Sequence, residues 1–342
     1  MASAMSEHAN KQNARPELSV VVPVLNEAAV LPELGRRLTA VLTACVRDHE
    51  IVYVDDGSND ESPAILLAEA ATDPHVRVLR FSRNFGHQAA VTAGIEHARG
   101  AAIVVIDADL QDPPEVIPQL IEQWRAGAEV VSAVRAVREG ESALRLALIK
   151  LFYRLLRRMS SVDLTPDVGD FRLLDRRVAD ALNRLPERNR YVRGLIRWLG
   201  FRHAEVPYRR AGRFAGETKY PFAKLVQLAL AGVTAFSTLP LRLVTYLGFA
   251  VSALSLVLVA YALYGRLIEG RAPAGWASVF VAVAFLSGVQ LVAIGILGTY
   301  VSRIFEEVKG RPLYVIASDT AAAGGGPSPD RGTKRTLPEG AP

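Results

Sequence analysis

The chain has 342 residues, half of them hydrophobic, which is enough for one large domain or two modest ones with a sizeable core. Its formal net charge is +5, from 40 Lys and Arg against 35 Asp and Glu; the basic residues gather ahead of the apolar segments, which suits anionic headgroups or a phosphorylated substrate, and no motif supports nucleic acid. A single cysteine, Cys45, excludes an intramolecular disulfide and any cysteine-based metal cage.

Residues 1–17 are polar and lack the sections of a signal peptide, so they read as a disordered tail. From Leu18 onward, strand-like runs recur: LSVVVPVLN from Leu18, EIVYVDDGS from Glu50, VRVLRFS from Val76, AAIVVIDAD from Ala101 and EVVSAVR from Glu129. Helix-length patterns separate them, at Glu27 to Thr43, Ser62 to Ala71, His87 to Arg99 and Pro114 to Ala126. Strands alternating with helices predict a parallel sheet in an α/β fold, and near-continuous Val/Ile runs predict strands covered on both faces.

Ligands of such sheets bind beyond the carboxyl ends of the strands. Five strands deliver polar groups there: Asn26 and Glu27, Asp55 and Asp56, Arg83 and Asn84, Asp107 and Asp109, and Arg135. Beyond Arg138 the pattern turns helical, in ALRLALIKLFYRLLRRMSS. The segment Asp163 to Arg177 reads as a loop, and HAEVPYRR as a strand.

Tyr220 to Ser237 is helical in pattern and thinly charged, which predicts a helix at a membrane interface within 220–240. No charged residue occurs from Leu243 to Tyr264, nor from Ala272 to Ser302. Both runs exceed the roughly 20 residues that a helix needs to cross a bilayer. Only Gly265 to Gly275 lies between them, so residues 241–302 are expected to form a two-helix transmembrane hairpin. Basic residues flank it on the outside, including Arg209, Arg210, Arg213, Lys219, Lys224 and Arg242 before it and Arg303, Lys309 and Arg311 after it. The positive-inside rule then puts both ends in the cytoplasm of a multi-pass plasma-membrane protein. The expected organisation is completed by a cytosolic catalytic domain at 18–219, a cytosolic segment at 303–318 and a disordered tail at 319–342, rich in Ala, Gly, Pro and Ser.

The chemistry centres on IVVIDADLQDPPE, Ile103 to Glu115. Asp107 and Asp109 leave an apolar strand on the same face, where their like charges repel. With Gln111 they form a set of hard oxygen ligands suited to Mg2+ or Mn2+, and such an ion can bridge a diphosphate. Asp55 and Asp56 suit hydrogen bonds to a nucleotide's base or ribose, whereas Gly57 to Asp60 read as a turn and helix cap. His87 reads as a helix-start residue and His97 as a solvated one.

The motifs VVPVLNE, VYVDDGSND, FSRNFGHQAAVTAGIEHARG, VIDADLQDPPE, VGDFRLLDRR, RGLIRWLG and GETKYPFAKLVQLALAGVTAFS, in this order, resemble family 2 glycosyltransferases of GT-A fold. The polyprenyl-phosphate glycosyltransferase group is the nearer resemblance, over roughly Leu18 to Val315. It implies a Rossmann-like nucleotide-sugar-binding domain followed by the interfacial helix and two transmembrane helices. It also implies transfer of a sugar, with inversion, from a nucleotide sugar to polyprenyl phosphate on the cytoplasmic leaflet, with UDP-glucose the preferred donor. Relatives imply a homotetramer.

Residue by residue, the resemblance puts Mg2+ or Mn2+ on Asp107, Asp109 and Gln111. Pro23, Asn26 and Glu27, with Asp55 and Asp56, fall at the nucleotide, and Arg135 at the donor phosphates. Asp170 falls near the reacting centre as base or positioning group, beside Asp109 as a catalytic residue. Arg213 and Lys219, in RFAGETKY, suit the acceptor phosphate. Trp198 lies in a variant of the Q-x-x-R-W motif of processive synthases, with Gly194 at the glutamine position, which favours a single transfer over polymerisation. Competing expectations are another lipid acceptor such as diacylglycerol, and a catalytically silent scaffold or nucleotide-sugar-binding module.

Overall fold

The Val/Ile runs form a single sheet, and their alternating side chains supply apolar layers to both of its faces. The computed structural model describes residues 15–135, 168–188, 190–209, 239–267 and 275–322. Contacts divide the chain into a first unit of Met1–Tyr153, Leu164–Lys219 and Arg311–Pro342 and a second of Arg154–Asp163 and Tyr220–Gly310.

In the first unit the elements are β1 (Leu18–Val24), α1 (Leu31–Cys45), β2 (His49–Asp55), α2 (Ser62–Thr72), β3 (Val76–Phe81), α3 (His87–His97), β4 (Ala102–Val105), a 3-10 turn (Pro114–Val116), α4 (Ile117–Arg125), β5 (Val130–Arg135), β6 (Val168–Asp175), α5 (Arg176–Asn183), α6 (Val192–Trp198) and β7 (His203–Tyr208). After the second unit come β8 (Ile316–Asp319) and a 3-10 turn (Thr320–Ala322). The sheet order is β7-β5-β6-β4-β1-β2-β3-β8.

One face of β1, with Val20, Val22 and Val24, joins Leu31, Leu34, Leu38 and Leu42 of α1 in the core, together with Leu120 and Ile121 of α4. On the other face α3 packs against β1 and β2. Its Gly94 makes the approach close, since a Cβ there would stand 2.1 Å from Val21 Cγ1.

The sheet is mixed, where a parallel one is expected from sequence. β6 runs antiparallel between β4 and β5, and β8 runs antiparallel to β3. The segment expected to be a loop, Asp163 to Arg177, therefore holds a central strand. Its turn-forming Pro166, Asp167 and Gly169 and its charged Asp170 and Arg172 disguise it, although Asp170, Phe171, Arg172, Leu173 and Leu174 are all buried. Reversal has a geometric consequence. The start of β6 lies level with the ends of β4 and β5, with Val105 opposite Arg172 and Val134 opposite Val168. Asp170 is thereby delivered to the carboxyl edge of the parallel strands.

Residues 319–322, expected in the tail, belong instead to β8 and the final turn. Asp319 is held there by Arg77 of β3, whose Nη2 donates to Oδ2 at 2.6 Å and Nε to Oδ1 at 3.0 Å. Tyr314 stacks on Phe81 and donates to Glu96 Oε2 at 2.6 Å. Asp319→Ala should destabilise this unit by about 2 to 3 kcal/mol, because it strips a charged partner from a largely buried guanidinium. Chemical unfolding of the full chain measures this. Recovery in an Arg77→Met, Asp319→Leu double variant is expected if the unpaired charge is the cause, and no loss in the single variant would dismiss the clamp.

The second unit contains α7 (Leu239–Leu267) and α8 (Trp276–Val308), of 29 and 33 residues. Among the described residues one stretch, Phe285–Val308, is long and apolar enough to cross a membrane, and none of its most apolar window is buried. The other expected span appears as a shorter apolar stretch, Leu243–Val257. The interfacial helix, apart from the residues that open α7, lies outside the described residues, as do Arg213, Lys219 and the basic helical pattern after Arg138.

Candidate active site

Two loops meet at the carboxyl edge because the residues after β1 and β2 bind each other. Asn26 takes a left-handed backbone, φ 57°, which asparagine tolerates better than most residues. Its amide donates to Ser58 Oγ at 3.0 Å, and its Oδ1 accepts from the Asn59 amide at 2.8 Å. The Glu27 amide donates to Ser62 Oγ at 3.0 Å. Asp60 accepts from the amides of Ala28 and Ser62. Pro23 sits one residue before the end of β1.

Asp55 and Asp56 have internal work. Asp55 is fully buried; its Oδ1 accepts from the Ser58 amide at 2.8 Å, and its Oδ2 lies 3.2 Å from Arg80 Nε. Asp56 Oδ1 accepts from the Phe85 amide at 2.7 Å and Oδ2 from the Gly86 amide at 3.0 Å. Burial raises the Asp56 pKa, against these amide bonds. The nucleotide contacts expected of this pair thus compete with bonds that shape the loop leading into α3.

That loop places His87 at the first position of α3. Its Nε2 lies 3.1 Å from Asp170 Oδ2 and 3.7 Å from Asp107 Oδ1. The three side chains offer ligand atoms within 4.8 Å of one another. Asp107 Oδ1 is buried and accepts no hydrogen bond. Burial lifts the Asp107 pKa to about 6; the charges of Asp170, Asp112 and Asp109 add to the rise and His87 opposes it. An orphaned carboxylate oxygen in a field of like charges fits a hard divalent cation, as does the oxygen-rich donor set around it.

Asp109 stands outside the three-residue group, with its Oδ1 accepting from the Gln111 amide at 3.1 Å. The turn between them uses Leu110 at φ 55°, and the Gln111 side chain is buried. Asp112, also buried, accepts from the Tyr208 hydroxyl. Burial and this bond push the Tyr208 pKa up to about 12. Arg135 ends β5 beside Tyr208, and its Nε is buried without a hydrogen-bond partner.

Asp170 is the most tightly held group. Arg193 of α6 donates Nε to Oδ1 and Nη2 to Oδ2, each at 2.7 Å. Burial by itself would raise the Asp170 pKa, but the bonds from Arg193 and His87 hold it far below the usual carboxylate range. Burial lowers the Arg172 pKa to about 10, and the charge of Asp170 partly offsets this. Burial likewise works against the charge on His87, yet Asp170 and Asp107 raise its pKa overall.

The structure thus brings Asp107, Asp170 and Arg135 to one edge, and adds His87, Arg193 and Arg172, for which sequence reasoning gave no site role. His87 had a legible signal, since it follows a strand whose end lies at that edge. Arg193 opens the RGLIRWLG motif, but its link to Asp170 is not legible there, because only the packing of α6 makes it.

The sequence signature of Glycosyl transferase family 2 matches residues 19–182. Uncharacterized glycosyltransferase YkcC of Bacillus subtilis is 46% identical over 88% of this chain and 93% of its own. SfII prophage-derived bactoprenol glucosyl transferase of Shigella flexneri is 43% identical over 88% and 97%, and the prophage bactoprenol glucosyl transferase homolog of Escherichia coli 42% identical over 88% and 98%. A solved structure, glucosyl-3-phosphoglycerate synthase from Mycobacterium tuberculosis, overlays with a TM-score of 0.45 at 19% identity, covering 66% of this chain and 79% of that one. On the strength of the family signature and these full-length relatives, the chain belongs to glycosyltransferase family 2 and is a glycosyltransferase.

Proposed function

We propose that this glycosyltransferase moves a hexose, with inversion, from a nucleotide sugar of GT-A type recognition, UDP-glucose first, to the phosphate of a polyprenyl phosphate. The observation that carries the proposal is the convergence of Asp107, Asp170, His87 and Arg135 at the carboxyl edge of the sheet. Relatives named bactoprenol glucosyl transferase support the lipid acceptor, and the apolar stretch Phe285–Val308 supports a membrane setting. Positive flanks support a cytoplasmic active site in the plasma membrane.

Asp107 would hold Mg2+ or Mn2+, with Asp109 and Gln111 from the same turn. When bound, such an ion supplies charge neutralisation for a departing nucleoside diphosphate. The chain's own residues do the rest. Arg135, with its unpartnered Nε, binds donor phosphate by charge-assisted hydrogen bonds. Pro23, Asn26 and Glu27 fall on the nucleotide side, and the buried Asp55 and Asp56 serve it by shaping the loops around it. Arg213 and Lys219 bind the acceptor's phosphate. A phosphate monoester has a second pKa of about 6, so the nucleophile is already largely ionised at neutral pH and needs little help from a base.

The test is transfer of labelled sugar from a panel of UDP- and GDP-sugars into undecaprenyl phosphate by detergent-purified full chain, with Mg2+ or Mn2+ and with EDTA. A glycolipid from UDP-glucose that disappears in EDTA is expected. No product from any donor despite demonstrated nucleotide binding would overturn the acceptor assignment and favour another lipid or a silent scaffold.

A further inference from the structure

We infer that Arg193 is a positioning residue for the transfer, acting through Asp170 on His87, and that Asp170 is itself a positioning group and not the proton acceptor. This rests on the transfer reaction proposed above.

A general base needs a lone pair free to meet the proton it removes. Asp170 is 4% exposed, and both of its oxygens are engaged. The two parallel bonds from Arg193 form a fork that fixes the plane of the carboxylate. Arg172, buried behind it, stands 3.9 Å from Oδ1 and is tethered by donating Nη2 to the Gly169 carbonyl at 2.6 Å. The remaining neighbour of Oδ2 is His87, at 3.1 Å.

A second contact joins the same two helices independently. The amide of Val192, adjacent to Arg193, donates to Oε1 of Gln88, adjacent to His87, at 3.1 Å. The start of α6 is therefore pinned to the start of α3 at two points, one through backbone and one through Asp170. The segment before α6 is braced as well, since Arg190 donates to the carbonyls of Leu185 and Glu187. Arg193, Asp170, His87 and Asp107 form a chain in which each group sets the place of the next. His87 and Arg193, 44% and 38% exposed at the side chain, flank the buried Asp170, and His87 is the one that stands beside Asp107.

Displacing a positioned group by about 1 Å can cost on the order of a hundredfold in rate. Arg193→Ala should accordingly lower kcat by about 10- to 100-fold while UDP affinity and the KM for the donor stay within about twofold. Guanidinium ion should restore part of the rate to Arg193→Ala and none to His87→Ala. The His87→Ala, Arg193→Ala double variant should be no slower than His87→Ala alone, because both remove one chain of contacts. Arg193→Lys, which keeps the charge but not the fork, should fall between wild type and Arg193→Ala.

A readout without turnover completes the test. In full chain labelled at its six histidines, the ring signal absent from His87→Ala should shift in Arg193→Ala and in Arg193→Lys while the other five hold. An unmoved His87 signal, or rate losses that multiply in the double variant, would overturn the inference. A raised KM for the lipid at unchanged kcat would also overturn it, making Arg193 an acceptor-phosphate ligand. Absence of product from wild type would instead sink the transfer reading, leaving the His87 signal to decide the positioning chain separately.

Discussion

Asp107→Ala is expected to lower sugar transfer by about a thousandfold while the protein folds normally. Stabilising the charge that develops on a leaving diphosphate is worth several kcal/mol, and each 1.36 kcal/mol is a factor of ten. The structural half of the expectation comes from the same atom. Asp107 Oδ1 is buried and accepts no hydrogen bond, and Asp170, Asp112 and Asp109 all oppose its charge. Deleting the carboxylate therefore removes no hydrogen bond from that oxygen and relieves the repulsion, at the loss of the longer ion pair with His87. Transfer rate, metal titration and thermal unfolding in EDTA measure the two halves together. Near-normal turnover would remove Asp107 from the metal site, and a large fall in unfolding temperature would reassign it to structure.

The second large effect is expected at Gly57, for a reason that starts in the backbone. Gly57 has φ 75°, a conformation that costs a side-chain-bearing residue about 1 to 2 kcal/mol. A Cβ there would also stand 2.7 Å from the Arg83 carbonyl carbon and from the Asn84 nitrogen. Backbone cannot swing aside as a side chain can, so Gly57→Ala should push the segment from Arg83 away from β2. That segment is tied to Asp56 through the amides of Phe85 and Gly86 and continues directly into His87. The expected result is a stability loss of roughly 2 to 4 kcal/mol together with about a hundredfold loss of transfer. Unfolding and transfer assays read these separately. A variant that unfolds as wild type and still transfers normally would refute the coupling between this turn and His87.

Much of the sheet was legible because local chemistry and global fold agree in it. The strands from Leu18, Glu50, Ala101 and Glu129 are short Val/Ile-rich runs, largely buried on both faces, that from Val76 is apolar apart from Arg77 and Arg80, and their ends mark the edge where Asp107 and Arg135 lie. β6 was hidden because its charges read as solvent-facing, when Arg193 and His87 in fact let Asp170 be buried. β8, only IASD, has almost no apolar signal of its own. Its place depends on Arg77 and Thr320, a pairing that local pattern cannot encode. The same limit applies to the site. Side chains that follow a strand can be placed from the sequence, whereas Arg193 reaches Asp170 only through tertiary packing. The polar DDGSND stretch looks alike whether its carboxylates face a ligand or, as Asp56 does, bind backbone amides.

The position of β8 in the chain also bears on how the protein is made. The strand beside it ends at Phe81, whereas β8 begins at Ile316, after both long apolar helices. A ribosome therefore emits seven of the eight strands of the sheet, and then the most apolar helices, before the last strand exists. Throughout that interval β3 presents an unpaired row of backbone donors and acceptors, the kind of edge along which chains associate with one another. Closing so long a loop is slow by comparison with local pairing. Completion of the sheet therefore follows synthesis of both long apolar helices, and the catalytic unit stays open along one side until the last strand is made.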